Sequence, residues 1–420
     1  MITALRPRLT VAVAVALIFC ISVYLLSPSQ SSSSFSFAGS GGTADPPSTP
    51  SSSELPYGRD YKGHSEPGDV NRVTNDTLGF GKVFVVGLPE RTDKRDAIAL
   101  ASSLTGFDIE WIDGVRGESI PDKAVPFGID RKILMETNLG SWRGHMNAVR
   151  KIVVDNLDSA LIMEDDMDWD VRLKPQLELT AAGARAVISS LPDRLFPSGR
   201  SSSATPTSPY GDDWDVLWLG HCGEPFPEDL PENKDLPDED QGLQAMARHW
   251  TILNDATVPP LNKVTGIVDF KAHPERTRWV HVTGAPICSF AYALSQRGAR
   301  KILYDMSVDK LSGPFDNALA GLCRRAVGSW SRLARGEAVD GDRGLDAKCL
   351  SVTPPLFFHH KAKGLVSADS DIQDYGGGGG EGEDEPPPEM REKGSTENIV
   401  WSARLNLLNM LAGREMESQW

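Results

Sequence analysis

The chain has 420 residues, of which 58 are acidic and 43 basic, giving a net charge of −15. That length suffices for one large domain or two ordinary ones with a sizeable core. The acidic balance excludes the basic footprint of a nucleic-acid-binding surface, so no nucleic-acid partner is expected.

Residues 9–26 are uncharged and almost entirely apolar, with Arg6 and Arg8 before them. Eighteen such residues fall in the range of about 17–25 that spans a bilayer as a helix. Basic residues on the N-terminal side keep residues 1–8 in the cytosol and send the rest into the lumen, a single-pass type II topology. A cleaved signal peptide is the competing reading. Residues 27–78 are rich in Ser, Pro and Gly and too poor in large apolar residues to form a core, so they are expected to be a disordered stem. Asn75-Asp76-Thr77 is an N-glycosylation acceptor pattern.

The body is expected over residues 79–370. The apolar run at 81–86 closes with Gly87 and Pro89 and predicts a buried strand. An amphipathic helix follows over 91–104, then a strand over 108–112 that turns at Asp113-Gly114. A helix over 139–156 leads to a second buried strand over 159–163. Further strands are expected at 214–222, 280–283 and 287–294, and a helix at 296–304. Alternating strands and helices favour an α/β fold, a mostly parallel sheet flanked by helices. Loop insertions are expected near 197–213 and 223–241, the second as a surface segment. Residues 371–397 read as a disordered acidic Gly/Pro segment and 398–420 as a C-terminal helix. Outside residues 9–26 lie Cys222, Cys288, Cys323 and Cys349, which allow three pairings that sequence does not choose among.

The strand at 159–163 runs into Glu164-Asp165-Asp166-Met167-Asp168. Carboxylates so crowded raise one another's pKa unless a cation lies among them. Acids at the carboxyl end of such a strand stand where open α/β sheets bind ligands. A solvated acidic turn is the plainer alternative.

Several blocks fall in a telling order: residues 83–95, then Trp111-Ile112-Asp113-Gly114-Val115, then 140–145, then 160–166. Further on come residues 215–220, 291–295 and Gly313-Pro314-Phe315-Asp316. Together they resemble glycosyltransferase family 25, which includes lipopolysaccharide sugar transferases and collagen galactosyltransferases, as a single-domain member of fungal type. The likeness covers about residues 82–358. Gly87-Leu88 stands where the family usually has Asn-Leu, and Gly144 stands where it usually has Ser before His145.

The resemblance implies a GT-A nucleotide-diphosphosugar transferase fold on a single catalytic domain. Its activity would be metal-dependent, inverting transfer of a hexose, galactose foremost, from a UDP-hexose donor to a glycan or hydroxyl-bearing protein. It also implies residence in the Golgi or endoplasmic reticulum membrane. The acidic cluster would take the role of the Asp-x-Asp motif, and an oxygen donor set suits Mn2+ or Mg2+. Asp166 is the expected direct ligand, Glu164 a ligand or ribose partner, and Asp165 or Asp168 a support or further ligand. His359 or His360 would complete the metal shell. Arg91, Arg95, Asp113, Gly114 and His145 are the expected donor-binding residues, with His221 a further candidate near the site. Asp316 is the expected base for the acceptor hydroxyl. A basic helix surface, a plain turn, a satisfied helix histidine and a helix N-cap are the respective structural alternatives for the arginines, Asp113-Gly114, His145 and Asp316. At the level of function, a sugar-binding protein of the same fold without turnover and a metal-dependent phosphoesterase remain open.

Overall fold

The run Val83-Phe84-Val85-Val86 forms β1 (Lys82–Gly87) in a computed structural model that describes residues 72–196, 206–372 and 389–420. The expected membrane span, most of the stem, and residues 373–388 of the acidic segment lie outside the described residues. Among the described residues no helix is long and apolar enough to cross a membrane. β1 is apolar on both faces because both are covered, the pattern of a central strand in an α/β sheet.

The chain continues through α1 (Thr92–Thr105), β2 (Glu110–Asp113), α2 (Glu136–Val154), β3 (Ser159–Glu164), β4 (Met167–Trp169) and α3 (Leu173–Ser190). Next come β5 (Val216–Gly220), α4 (Gln241–Met246), β6 (His249–Ile252), β7 (Arg278–Val282), β8 (Ala291–Ser295), α5 (Gln296–Leu303), α6 (Phe315–Val327) and α7 (Trp330–Ala334). It closes with β9 (Cys349–Thr353), β10 (Phe357–Lys361), β11 (Gly364–Leu365), β12 (Met390–Arg391), β13 (Ser395–Thr396) and α8 (Leu407–Ala412).

Eight strands form one sheet in the order β2-β1-β3-β8-β5-β9-β7-β6. Six of them point the same way, while β8 and β7 run opposite to their neighbours. The sheet is therefore mixed, mostly parallel by direction, and α/β as expected. A strand buried on both faces reads as the same apolar run in either direction, which is why the sequence left the reversal of β8 hidden.

Alternation along each strand splits the core into two layers. Val83, Val85, Leu161 and Met163 meet Ile98 of α1 and Leu177 of α3 on one face. Phe84, Val86, Ala160 and Ile162 meet Trp142 and Met146 of α2 and Leu319 of α6 on the other. A small second sheet, β13-β10-β4, carries the C-terminal part of the chain over the end of β3.

Two disulfides resolve the cysteine question, Cys222–Cys288 and Cys323–Cys349. The first changes an expected element. Cys288 sits at φ +70°, which a strand does not adopt, so β8 begins at Ala291 rather than at residue 287. The segment expected as a surface insertion instead turns Glu224, Phe226, Leu230 and Asn233 inward. Of residues 398–420 only Leu407–Ala412 is α-helix, because the turns before it spend their polar groups on Asp168 and Asp170.

Candidate active site

β2 and β3 flank β1 on opposite sides, so the chain reverses its direction of travel across the sheet there, and open α/β sheets bind ligands outside the strand ends at such a point. A cleft of about 150 Å3 opens at this place. Its floor is Val86-Gly87-Leu88 and Glu164-Asp165-Asp166, and one wall is the loop 114–118 lying on α2. That loop sits flush against the helix. A Cβ on Gly117 would stand 1.9 Å from the Glu136 carbonyl oxygen, and one on Gly140 would stand 2.3 Å from that of Val115.

The two departures from the family pattern have packing reasons. A Cβ on Gly87 would fall 2.2 Å from Asp165 Oδ2, so glycine lets the acidic turn fold across the end of β1. A Cβ on Gly144 would stand 2.9 Å from Val86 Cγ1.

Within the acidic turn each carboxylate has a different fate. Glu164 is partly exposed; its Oε1 accepts from Ser289 Oγ at 2.8 Å and lies 3.6 Å from His145 Nε2. His145 is buried, stacked on Phe315, with Nδ1 2.9 Å from the Tyr292 hydroxyl. Asp165 and Asp166 share the Lys94 ammonium at 3.4 and 3.1 Å. Burial, followed by the neighbouring Asp166 charge, pushes the Asp165 carboxyl up to about 7. Burial works against the Asp166 charge as well, but Lys94 and His359 more than offset it and hold that carboxyl below its ordinary range. Burial likewise opposes the Lys94 charge, and the two aspartates outweigh it, so its pKa stands above the ordinary value.

Asp166 Oδ1 is buried with no hydrogen-bond partner, while its Oδ2 lies 3.6 Å from His359 Nε2. β10 pairs with β4 in the register His359 to Met167, which is what brings the histidine to the turn. Among the described residues no three His, Cys, Asp or Glu side chains come close enough to enclose a metal ion by themselves. Asp166 and His359 are the pair that could share one with a ligand's own oxygens.

The structure brings Gly114, His145, Glu164, Asp165 and Asp166 to the cleft. Asp168 points the other way. Fully buried, it accepts from Thr396 Oγ1 at 2.6 Å, from the Trp169 and Arg404 backbone N–H groups at 2.8 and 3.1 Å, and from Ser402 Oγ. His360 goes with it, its Nδ1 2.8 Å from Thr396 Oγ1, and burial draws its pKa down to about 4. Arg95 donates to the Gly87 carbonyl at 3.0 Å, pairs with the exposed Asp113 carboxylate and lies over the Trp111 ring, so it ties β1 to β2 beside the cleft. Arg91 reaches residues 368–371 instead. Asp316, in the first turn of α6, accepts from the Cys288 N–H at 3.1 Å and the Asn317 N–H at 2.8 Å. Ser289, next to Cys288, is the residue that holds Glu164. His221 lies under β9, donating from Nε2 to the Val352 carbonyl at 3.0 Å.

Sequence reasoning missed Lys94, Ser289, Tyr292 and Asp371. Lys94 lies between the two arginines, three residues after Arg91 and next to Arg95, and its spacing carries no signal that sets it apart from them. Asp371 lay at the edge of the low-complexity segment, where composition conceals a single ordered carboxylate.

Known proteins match parts of the chain, among them two named as glycosyltransferases. Procollagen galactosyltransferase 1 of Danio rerio is 23% identical over 188 residues, 42% of this chain and 27% of that protein. A glycosyltransferase 25 family member of Anopheles gambiae is 25% identical over 130 residues, 28% of this chain and 21% of that protein. The chain is similar to glycosyltransferases. It spans about a quarter of the length of these relatives. No protein-family model matches it.

Proposed function

We propose that the chain is a single-domain glycosyltransferase of the family 25 type, on a GT-A-like fold, that moves a hexose from a nucleoside-diphosphate sugar to a hydroxyl of a glycan or protein. Uridine-diphosphate galactose is the first donor to try, because one of the similar proteins is named a galactosyltransferase. The observation that carries the reading is the buried, unpartnered Asp166 Oδ1 on the floor of a cleft at the reversal of the sheet. A buried carboxylate oxygen with no donor costs free energy unless a ligand supplies a cation or a proton.

The donor set fits a hard divalent cation, Mn2+ or Mg2+, held by Asp166 with His359 beside it and otherwise by phosphate oxygens, since such ions are commonly bound through one or two carboxylates plus substrate phosphates. Bound there, the cation would neutralise charge on the departing diphosphate. The chain's own residues do the rest. The 114–117 backbone, which Gly114 lets pack on Gly87-Leu88 and Gly117 lets pack on α2, is the wall that receives the nucleoside. Glu164, steadied by Ser289 and His145, orients a sugar or ribose hydroxyl. Asp316 takes the proton of the acceptor hydroxyl as its oxygen attacks the anomeric carbon from the face opposite the diphosphate, which inverts that centre. The two disulfides fit an oxidising compartment, and residues 9–26 would anchor the body on the lumenal side of a secretory membrane.

The test is release of nucleotide from a panel of sugar donors with Mn2+ and hydroxylated acceptors. The wild-type chain should release uridine diphosphate, and Asp166→Ala should release it far more slowly. A wild-type protein that releases no nucleotide from any donor sinks the reading. Metal-dependent release of free phosphate without acceptor would replace it with ester hydrolysis.

A further inference from the structure

Ser370, Asp371 and Ile372 line the cleft, with Asp371 beside Lys94. Both Asp371 oxygens accept from Arg91 Nη1, and Oδ2 also accepts from Lys94 Nζ at 2.8 Å, the shortest of the three carboxylate contacts Lys94 makes. Arg91 holds the same segment a second time through the Ala368 carbonyl at 2.9 Å, and Thr137 of α2 donates to the Ile372 carbonyl at 3.0 Å.

The arrangement is that of an anion bound by a guanidinium and an ammonium, with the carboxylate oxygens standing where two non-bridging phosphate oxygens would stand. Arginine and lysine together form a common phosphate cradle. Lys94 also touches Asp165 and Asp166, so the cradle adjoins the floor of the cleft. A third carboxylate on Lys94 is not needed to neutralise that buried ammonium, which already has two.

We propose that Arg91 and Lys94 form the phosphate subsite for a nucleoside diphosphate and that Asp371 is its built-in occupant, which the ligand must displace. The inference rests on the donor-binding reading above and adds to it which residues take the phosphate and what holds them until it arrives. A binding site whose competent form is only part of the population shows an affinity reduced by that fraction. Weakening the occupant therefore tightens the ligand.

The experiment measures binding of uridine diphosphate and of uridine, each with Mn2+, by calorimetry on the wild-type chain, Asp371→Asn and Arg91→Gln. Asp371→Asn keeps the shape of the side chain and removes its charge. It should bind uridine diphosphate about tenfold more tightly, within the usual range of coupling between competing states, and leave uridine unchanged. Arg91→Gln should bind uridine diphosphate more weakly and uridine as before. Hydrogen exchange should show residues 368–372 losing protection when uridine diphosphate is added to the wild type. If the wild type binds uridine diphosphate but Asp371→Asn binds it no better, or if both ligands tighten equally, Asp371 is not a phosphate surrogate and the inference fails while the donor reading stands. If neither protein binds uridine diphosphate, the donor reading fails and takes this one with it.

Discussion

Asp166 and Glu224 are both carboxylates taken out of water, one at the carboxyl end of β3 and the other beneath β7 and β9, and the protein treats them in opposite ways. Asp166 keeps its charge because Lys94 stands 3.1 Å away and His359 adds to the field. Among the described residues no lysine or arginine pairs with Glu224. Its Oε2 accepts from the Gly284 N–H at 2.9 Å, and its Oε1 looks at His221 and His281 from 3.6 and 3.8 Å. Burial pushes that carboxyl up to about 8 and pulls the two imidazoles down to about 4 and 3. The sealed cluster is thus neutral at pH 7, whereas the cleft holds opposite charges at contact distance. A buried group without a counter-charge gives up its ionisation. A group that must meet an ionic ligand has to keep it, and the structure spends a buried lysine on doing so.

The sharpest way to break this contrast is Asp166→Ala. Removing the carboxylate proposed to face the diphosphate should lower the rate of nucleotide release by about 10²–10³-fold, the usual cost of losing one preorganised group that stabilises transition-state charge. The fold should survive, since Lys94 retains Asp165 and Asp371. A variant that loses its cooperative thermal transition instead would mean that Asp166 belongs, like Glu224, to the structure.

The sealed cluster predicts a pH dependence of stability. Glu224 has a folded pKa of about 8 against an ordinary 4.5, so folding takes up a proton between those values and stability falls as pH rises through them. His221 and His281 have folded values of about 4 and 3 against 6.5, so their contribution is present above pH 6.5 and lost as pH falls through that range. The two effects oppose each other below pH 6.5 and leave Glu224 alone above it. Melting temperature measured against pH should peak near the ordinary histidine value and decline towards pH 8, by at most about 1.4 kcal/mol per pH unit in stability. Glu224→Gln should flatten the decline. An unchanged slope in that variant would show that some other group titrates.

How much of this was legible before the structure depends on which interactions are local. β1, β3 and α2 follow from apolar runs, turn residues and helical spacing, and the acidic turn follows from its own composition. The family resemblance ranks Asp166 above Asp168 as a ligand, but the local sequence does not show that Asp168 turns away, because its partners Thr396, Ser402 and Arg404 lie more than two hundred residues further on. Lys94 could not be told from Arg91 or Arg95 either, since only the turn from β1 into α1 decides which cation faces the cleft. The neighbours of Glu224 predict an acidic surface loop, but they describe a segment and not a side chain.

That separation of Asp166 from Asp168 supplies a smaller prediction. Ser402→Ala removes one of the donors around the buried Asp168 carboxylate and should cost about 1–3 kcal/mol of stability, the penalty for under-satisfying a buried charged group. Its affinity for uridine diphosphate should match the wild type, because Asp168 faces away from the cleft. A loss of affinity on the scale of Asp166→Ala would put Asp168 back among the ligand-binding residues.

The smallest effect is expected at Asp113, which ends β2 beside the cleft much as Asp166 follows β3. Its carboxylate is largely exposed and, among the described residues, pairs with Arg95 alone, which also donates to the Gly87 carbonyl and covers Trp111. An exposed ion pair contributes about 0.2–1 kcal/mol, and here the arginine keeps its other anchors when the acid is gone. Asp113→Ala should leave the melting temperature nearly unchanged and alter uridine diphosphate affinity by less than about fivefold, the equivalent of that range. The same strand-end position would then yield two very different energies, and the difference would be traceable to water: Asp113 is solvated already, while Asp166 Oδ1 has no partner until a ligand brings one. A large loss of affinity in Asp113→Ala would mean instead that the carboxylate itself meets the nucleoside, and the exposed end of β2 would join the floor of the cleft as part of the binding surface.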